Sequence, residues 1–227
     1  MPETKKLHYN KFLYKMQFRN ALAGIFRTEW QRKGNLSYAA LKLSEYKYAL
    51  KNHSVLYKNR WGTKEEVPLS HYRDAQKLYR ILRHQSNYMI RCEYNTVNLY
   101  SNDLDFLENI NKKISVDTII WKPDTNNINF LLENKNVIIV DNEPEFMYKV
   151  SFGRKSGKKE LAKWIANNRD KVVCGPRLYE SLQNENRYIQ SQYIYAKDEK
   201  VVLLLQMIVG DNITRIDKLV SKQNIDK

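Results

Sequence analysis

Tyr14-Lys15-Met16-Gln17-Phe18 and Tyr148-Lys149-Val150-Ser151-Phe152 are the two stretches that decide the fold. Each alternates apolar with polar residues, which is the pattern of a strand that buries one face. The two stretches also share Tyr, Lys and Phe at their first, second and fifth positions. We therefore predict that the chain contains two related halves, each opening on a strand of this kind.

A second pair of matching segments follows later in each half. Tyr100-Ser101-Asn102-Asp103 and Tyr195-Ala196-Lys197-Asp198 each precede a helical pattern, at 104–114 and 199–209, which is followed by a strand pattern. The closing Asp stands where a helix N-cap is expected. When one short helix is set aside, the C-terminal half has the order βαββαβ, which is the ferredoxin-like order. We predict an α+β protein of two ferredoxin-like (βαββαβ) halves with antiparallel sheets.

The predicted boundaries follow from these matches. Residues 1–125 form a basic N-terminal half that carries a helical insertion at about 21–87. Residues 126–145 form a linker hairpin, and residues 146–227 form the C-terminal half. Apolar residues at helical spacing predict two helices in the insertion, at 36–52 and 70–84, separated by a loop that ends at a proline.

The positive charge is concentrated in the first two-fifths of the chain. Residues 1–92 hold 19 Lys and Arg against 6 Asp and Glu, a net charge of +13, whereas residues 93–227 have a net charge of +1. Clustered cations attract phosphate-bearing partners, while an ordinary soluble surface mixes both signs. We therefore predict a nucleic-acid-binding protein, with RNA or DNA as partner and single strands favoured.

Thirteen residues are the candidate contacts. Arg73, Lys77, Arg80 and His84 recur at spacings that place them on one helix face. The first strand contributes a second patch on one side, and cations near tryptophans contribute a third. The second and third patches are Lys11, Lys15, Arg19, Arg27, Arg32, Lys33, Lys58, Arg60 and Trp61.

Tyrosines on the predicted strand at 188–197 are a further candidate. Tyr193 and Tyr195 fall on one side of that strand, and the open sheet face of a ferredoxin-like module is a flat platform on which bases stack. Packing within the core or at a sheet edge is the alternative explanation for these tyrosines.

One enzymatic function is an alternative, that of a metal-independent ribonuclease. A metal-independent ribonuclease needs a His as general base and a cation that stabilises the phosphorane. His53 with Tyr57 and Lys58, or His84 with Arg80, supplies those groups. Tandem ferredoxin-like halves occur in the CRISPR RNA-processing endonucleases, but their C-terminal glycine-rich loop has no counterpart beside the isolated Gly210.

Residues 22–29 (LAGIFRTE) are similar to the opening of the LAGLIDADG homing-endonuclease motif. The motif is not continued, because Arg27 replaces an acid, Trp30 replaces the closing glycine, and the other half holds no second copy. We therefore do not assign the chain to that family.

The cysteine and histidine spacing and the lack of a long apolar run limit the remaining functions. Two cysteines and four histidines show no metal-ligand spacing, so we predict neither metal nor cofactor. No apolar run approaches a membrane span, and we expect an intracellular, cytoplasmic protein. The second function considered is that of an assembly component of a larger particle, viral or phage, with a protein partner bound through the C-terminal half.

Overall fold

The computed structural model describes residues 2–27, 36–52, 55–60, 63–184 and 188–225, without the side chains of Asn59 and Arg60. The fold is mixed α+β, with sheets that are mainly antiparallel. The chain divides into two compact units, Met1–Ile128 and Asn129–Lys227.

The first unit has one four-stranded sheet, one separate hairpin and three α-helices within its described residues. The sheet has the strand order β4-β5-β1-β6, and its neighbouring strands are antiparallel. In chain order, the elements are β1 (Tyr14–Arg19), α1 (Leu36–Asn52), β2 (Leu56–Arg60), β3 (Thr63–Val67), α2 (Leu69–Leu82), β4 (Tyr88–Glu93), β5 (Thr96–Ser101), α3 (Leu104–Lys113) and β6 (Thr118–Trp121).

One face of this sheet builds the core of the first unit. Strand residues Met16, Phe18 and Leu99 are buried in one cluster with Leu78 of α2 and Leu107 of α3. Since successive side chains of a strand point to opposite faces, the residues between them line the face away from the helices. That second face carries the polar positions of β1 and β5.

The loop predicted around Trp61-Gly62 is wrong in part, because its flanks form the hairpin β2–β3. Leu56 and Val67 are paired across the hairpin and are both buried, so one rung anchors it to the core. The rest of both strands is polar, which hides the strand pattern that periodicity detects.

The second unit has a five-stranded sheet of order β7-β11-β8-β10-β9. β7 pairs parallel with β11, and the other neighbours are antiparallel. In chain order, the elements are α4 (Ile128–Glu133), which begins at the unit boundary, β7 (Val137–Val140), β8 (Tyr148–Phe152), α5 (Lys159–Ala166), β9 (Val172–Cys174), α6 (Pro176–Gln183), β10 (Tyr193–Ala196), α7 (Glu199–Val209) and β11 (Ile213–Ser221).

The linker hairpin predicted at 126–145 is replaced by α4 and β7. Asp124 caps the turn that leads into α4 by accepting the N–H of Asn126 at 3.1 Å, and Leu131 is fully buried. The apolar run of β7 therefore extends the sheet of the second unit as an edge strand beside β11.

The two sheets share one strand register. Lys15 of β1 is paired with Tyr100 of β5, and Lys149 of β8 is paired with Tyr195 of β10. These are the lysines and tyrosines of the matching sequence segments. The correspondence in sequence is thus also a correspondence in strand pairing.

The helices that follow begin in the same way in both units. Asp103 Oδ1 accepts the N–H of Phe106 at 2.9 Å, and Asp198 Oδ1 accepts the N–H of Val201 at 2.9 Å. Each Asp thus caps a helix by satisfying a backbone donor that lacks a partner within the helix. The predicted N-caps are confirmed at both positions.

Candidate nucleic-acid interface

Helix α2 carries the row of basic residues predicted from spacing. Its apolar side is buried through Tyr72, Ala75, Leu78 and Leu82. The opposite side is exposed to solvent, and it presents the candidate cations Arg73 and Arg80, with the partly exposed Lys77 between them.

Lys77 links this row to the end of helix α3. Its Nζ donates a 2.7 Å hydrogen bond to the carbonyl oxygen of Lys113, and Lys112 and Lys113 are exposed in the last turn of α3. Lysines favour that position because the carbonyl end of a helix carries partial negative charge. We call Arg73, Lys77, Arg80, Lys112 and Lys113 the α2–α3 basic surface. The spacing pattern does not single out Lys112 and Lys113, although they lie at the end of the helix predicted at 104–114.

The acid within this helix does not lie on the solvent side. Asp74 is 1% exposed, and its carboxylate accepts hydrogen bonds from the backbone N–H and the hydroxyl of Ser115. Lys77 Nζ is 3.7 Å from Asp74 Oδ1, at the margin of the surface. The outward face of α2 is therefore more cationic than a count of its charges indicates.

His84 lies beyond the helix. The predicted helix at 70–84 begins at Leu69 and ends at Leu82, and the N–H of His84 donates to the carbonyl oxygen of Ile81. His84 is exposed next to the basic surface. Ser86 and Asn87, both turn-forming residues, follow it and account for the earlier end of the helix.

The second predicted patch lies on the sheet face away from the helices. Lys15 Nζ is 4.3 Å from the centre of the Trp121 ring, and Arg19 is exposed at the end of β1. Burial lowers the pKa of Lys15, and the nearby Arg91 adds to this effect, whereas Glu93 opposes it. Lys11 is exposed but precedes the strand, with its Nζ 5.2 Å from the Phe12 ring centre.

An N-terminal group of rings covers part of this face. His8, Tyr9 and Phe12 lie with ring centres 5.4, 5.0 and 6.4 Å from that of Tyr100. Tyr100 is consequently 6% exposed, and burial raises its pKa. Beside it lies an open concavity of about 410 Å³, in which Lys15 and Arg91 are the cations.

A larger groove of about 640 Å³ runs along the edge of the sheet, and Arg19, His71, Ser115 and Asp117 are among its lining residues. Ser115 is the partner of Asp74, so the loop after α3 contributes both to this groove and to the support of the α2–α3 basic surface. No sequence motif marks this groove, because its residues come from distant segments of the chain.

His71, which lines the groove, is hydrogen-bonded to the segment after β1. The Nδ1 atom of His71 accepts the N–H of Ala21 at 3.0 Å. The backbone carbonyl oxygen of His71 accepts a second hydrogen bond, from Asn20 Nδ2 at 2.9 Å.

The side chain of Lys58 is hydrogen-bonded within the protein. Its side chain is 13% exposed, and its Nζ donates to the carbonyl oxygen of Ala21 at 2.9 Å and to Asn95 Oδ1 at 3.0 Å. It also pairs with Glu65 of β3 at 3.3 Å. Lys58 therefore leaves the set of candidate contacts, because its donors are engaged within the protein.

The other cations of the third patch divide into two groups. Arg27 is exposed at the end of the 3-10 turn Ala23–Phe26. The remaining candidates lie outside the described residues or side chains, and they are Arg32, Lys33, Arg60 and Trp61.

The described residues do not complete the first of the two ribonuclease candidates, while His84 and Arg80 of the second are both exposed. His53 lies outside the described residues, and its predicted neighbour Lys58 is engaged as described above. Within the described ranges, no group of three or more His, Cys, Asp or Glu is arranged to hold a metal ion.

The comparisons with known proteins assign no family to the chain. No protein-family model matches the chain, and no curated protein matches it significantly. Among the helices of the described part of the chain, none has the length and apolar character needed to cross a membrane.

Proposed function

We propose that this chain is a non-enzymatic nucleic-acid-binding protein that grips phosphate backbones through its basic N-terminal half. The α2–α3 basic surface is the observation that carries the proposal. Its five cations come from two helices that are joined by the hydrogen bond from Lys77 to Lys113. Asp74, the acid within α2, is buried in the protein and reaches the row only through Lys77.

The dimensions of this surface suit a phosphate backbone. Arg73 and Arg80 are seven residues apart, which corresponds to about 10 Å along a helix at 1.5 Å per residue. That length spans roughly three phosphates of one strand at about 3.4 Å each along a B-form axis. A helix-borne row of this length therefore contacts several phosphates at once.

We also propose that both units are ferredoxin-like. Support comes from the strand orders β4-β5-β1-β6 and β11-β8-β10-β9, in which β1 lies between β5 and β6 and β8 lies in the same way between β10 and β11; β7 is an additional edge strand of the second sheet. The connecting helices of each unit pack on one face of the sheet, as that fold requires. Such modules leave the second sheet face available to a ligand.

Binding across salt concentrations tests the main proposal. Fluorescence anisotropy would be measured with labelled single-stranded RNA, single-stranded DNA and duplex DNA at about 50 to 300 mM salt. The R73E/K77E/R80E variant would be compared with K163E/R169E/K200E, which makes the same change in net charge at exposed positions of the second unit.

We expect the α2 variant to lose at least about tenfold in affinity and to show a shallower dependence on salt, since fewer counterions are released on binding. The control variant retains most of its affinity. Equal losses in the two variants would assign the binding to net charge, and absence of binding by the wild type at low salt would overturn the proposal. Cleaved products on a denaturing gel in the presence of EDTA would instead favour the ribonuclease.

A role in assembly through the C-terminal half is the second candidate function. Helix α7 buries Val201, Val202 and Leu205 but exposes Leu203 and Met207, and Met207 is 82% exposed. Exposed apolar groups on one helix favour contact with another protein surface. Sedimentation velocity tests self-association: M207K and L203K would remove concentration-dependent larger species, and a wild type that stays monomeric would exclude this form of assembly.

A further inference from the structure

The sheet of the second unit has a face that its core does not use. Val150 and Phe152 of β8 and Ile194 of β10 point into the core with the helices. Side chains alternate along a strand, so Lys149 of β8 and Tyr193 and Tyr195 of β10 lie on the other face. We call this set, together with Val173 of β9, which is paired with Tyr195, the tyrosine face.

The tyrosine face is an ordered aromatic and cationic group. The rings of Tyr193 and Tyr195 have centres 5.3 Å apart and planes at 71°. Lys149 Nζ lies 3.7 Å from the centre of the Tyr193 ring and 5.9 Å from that of Tyr195. Tyr193 is 40% exposed and Val173 is 43% exposed, so the group is accessible within the folded chain.

The equivalent position in the first unit shows how such a face is covered. Tyr100 is paired with Lys15 across β1 and β5, just as Tyr195 is paired with Lys149 across β8 and β10. In that unit, rings of the N-terminal segment pack on Tyr100 and bury it. The aromatic face at this register therefore accepts flat rings, and in the second unit it stays accessible.

The charges around the tyrosine face favour an anionic ligand. Arg215 of β11 lies opposite Ser151 of β8, in the same cross-strand row as Tyr193, and Asp217 lies opposite Lys149. Asp217 is buried and accepts from Arg215 Nε, so this acid is engaged within the sheet. Asp217 thus neutralises Arg215, and Lys149 supplies the net positive charge of the face.

We propose that the tyrosine face binds unpaired bases of single-stranded nucleic acid, with Tyr193 and Tyr195 stacking on bases and Lys149 lying near the backbone. This inference rests on the proposed nucleic-acid-binding function and deepens it by naming the form of nucleic acid and the unit that recognises it. Stacking on aromatic rings tolerates every base but requires bases that are not already stacked in a duplex. The second unit has a net charge of +4, against +10 for the first unit, so it contributes selectivity for single strands while the first unit contributes more of the electrostatic affinity.

The experiment compares single-stranded with duplex binding by the full chain. The Y193L/Y195L variant keeps apolar bulk but removes both rings, and Y193F/Y195F keeps the rings. Y48L removes an exposed tyrosine of α1 and is the matched control. The probes are labelled oligonucleotides of about 15 nucleotides, near the upper site size of a single-strand-binding module, and their duplex form.

We expect Y193L/Y195L to lose about tenfold or more in affinity for the single strand, the scale of one lost base stack, and to retain its affinity for the duplex. Y193F/Y195F and Y48L should bind as the wild type does. Equal losses on both probes, or no loss on the single strand, would overturn the inference, provided that circular dichroism shows the variant to be folded. If the leucine variant unfolds, photocrosslinking of the single strand to the wild type replaces it, and crosslinks that do not map to residues 193–195 would overturn the inference.

The R73E/K77E/R80E variant separates this inference from the proposed function. If R73E/K77E/R80E binds weakly while the leucine variant binds like the wild type, phosphate binding by the α2–α3 basic surface is supported and the tyrosine face is excluded as a binding site. If the leucine variant alone loses single-strand binding, the tyrosine face stands and the α2–α3 basic surface is excluded. A wild type that binds neither probe overturns both.

Discussion

Asp74 of α2 and Ser115 of the loop after α3 are joined by three hydrogen bonds. The backbone N–H of Ser115 lies 3.0 Å from both carboxylate oxygens, and its hydroxyl donates to Oδ2 at 2.7 Å. Since Asp74 is buried, the hydrogen bonds replace the water that the carboxylate loses on folding. This contact fixes the loop that leads from the α2–α3 basic surface to the groove.

Removing the two partners of this contact should have unequal effects. Asp74→Ala removes the buried acceptor of both Ser115 groups, and we expect it to lower the free energy of unfolding by about 1–3 kcal/mol. Ser115→Ala removes the hydroxyl but keeps the backbone donor, so its expected cost is about 1 kcal/mol. Urea unfolding followed by circular dichroism measures both values, and equal costs would contradict the assigned geometry.

The two N-caps should contribute similar amounts to stability. Asp103→Ala and Asp198→Ala each remove one side-chain acceptor from the first turn of a helix, with an expected cost of about 1 kcal/mol in the free energy of unfolding. Asp105→Ala, in the first turn of α3 but not at its cap, is the control, and it should cost only a few tenths of a kcal/mol through the helix dipole. A cap variant as mild as the control would show that its hydrogen bond does not form in solution.

Lys58 should be important for folding rather than for ligand binding. Lys58→Met removes the donor to Ala21 and Asn95, and we expect a loss of about 1–3 kcal/mol in the free energy of unfolding because these acceptors are partly buried and lose a charged donor. Lys47→Met, on the exposed side of α1, makes the same change in charge and should stay within about 0.5 kcal/mol of the wild type.

The binding assay gives an independent check on Lys58. If its cation is engaged within the protein, K58M and K47M should weaken nucleic-acid binding by the same small factor at a temperature where both are folded. A selective loss of affinity in folded K58M would return Lys58 to the set of contacts.

Strong periodic patterns could be predicted from the sequence, and features that depend on tertiary contacts could not. The helix predicted at 36–52 is found as Leu36–Asn52, and the one at 199–209 as Glu199–Val209, because each buries an apolar stripe over several turns. The hairpin β2–β3 was missed because its one buried rung, Leu56 with Val67, leaves no alternating signal.

The candidate site shows the same division. The spacing of Arg73, Lys77 and Arg80 placed them on one face of α2 in advance, since helical geometry alone determines that result. Spacing does not reveal that Asp74 turns inward to Ser115 or that Lys58 is engaged by Ala21, because both partners come from distant parts of the sequence.

Cys92 should make the protein less stable in alkaline solution. Burial raises the pKa of its thiol from 9.0 to about 12, and the charge of Arg27 opposes this only in part. The unfolded chain therefore releases the proton above pH 9.0 while the folded chain keeps it, so the contribution is fully present below that pH and is lost as the pH rises toward 12. Between about pH 9 and pH 10, wild-type stability should fall by up to about 1.4 kcal/mol more than that of Cys92→Ala, as measured by urea unfolding at each pH. Cys174→Ala is the control, because it keeps Cys92. It removes the half-buried thiol of the other unit, whose pKa is also raised by burial. Parallel declines in the wild type and Cys92→Ala would assign the alkaline loss to other groups.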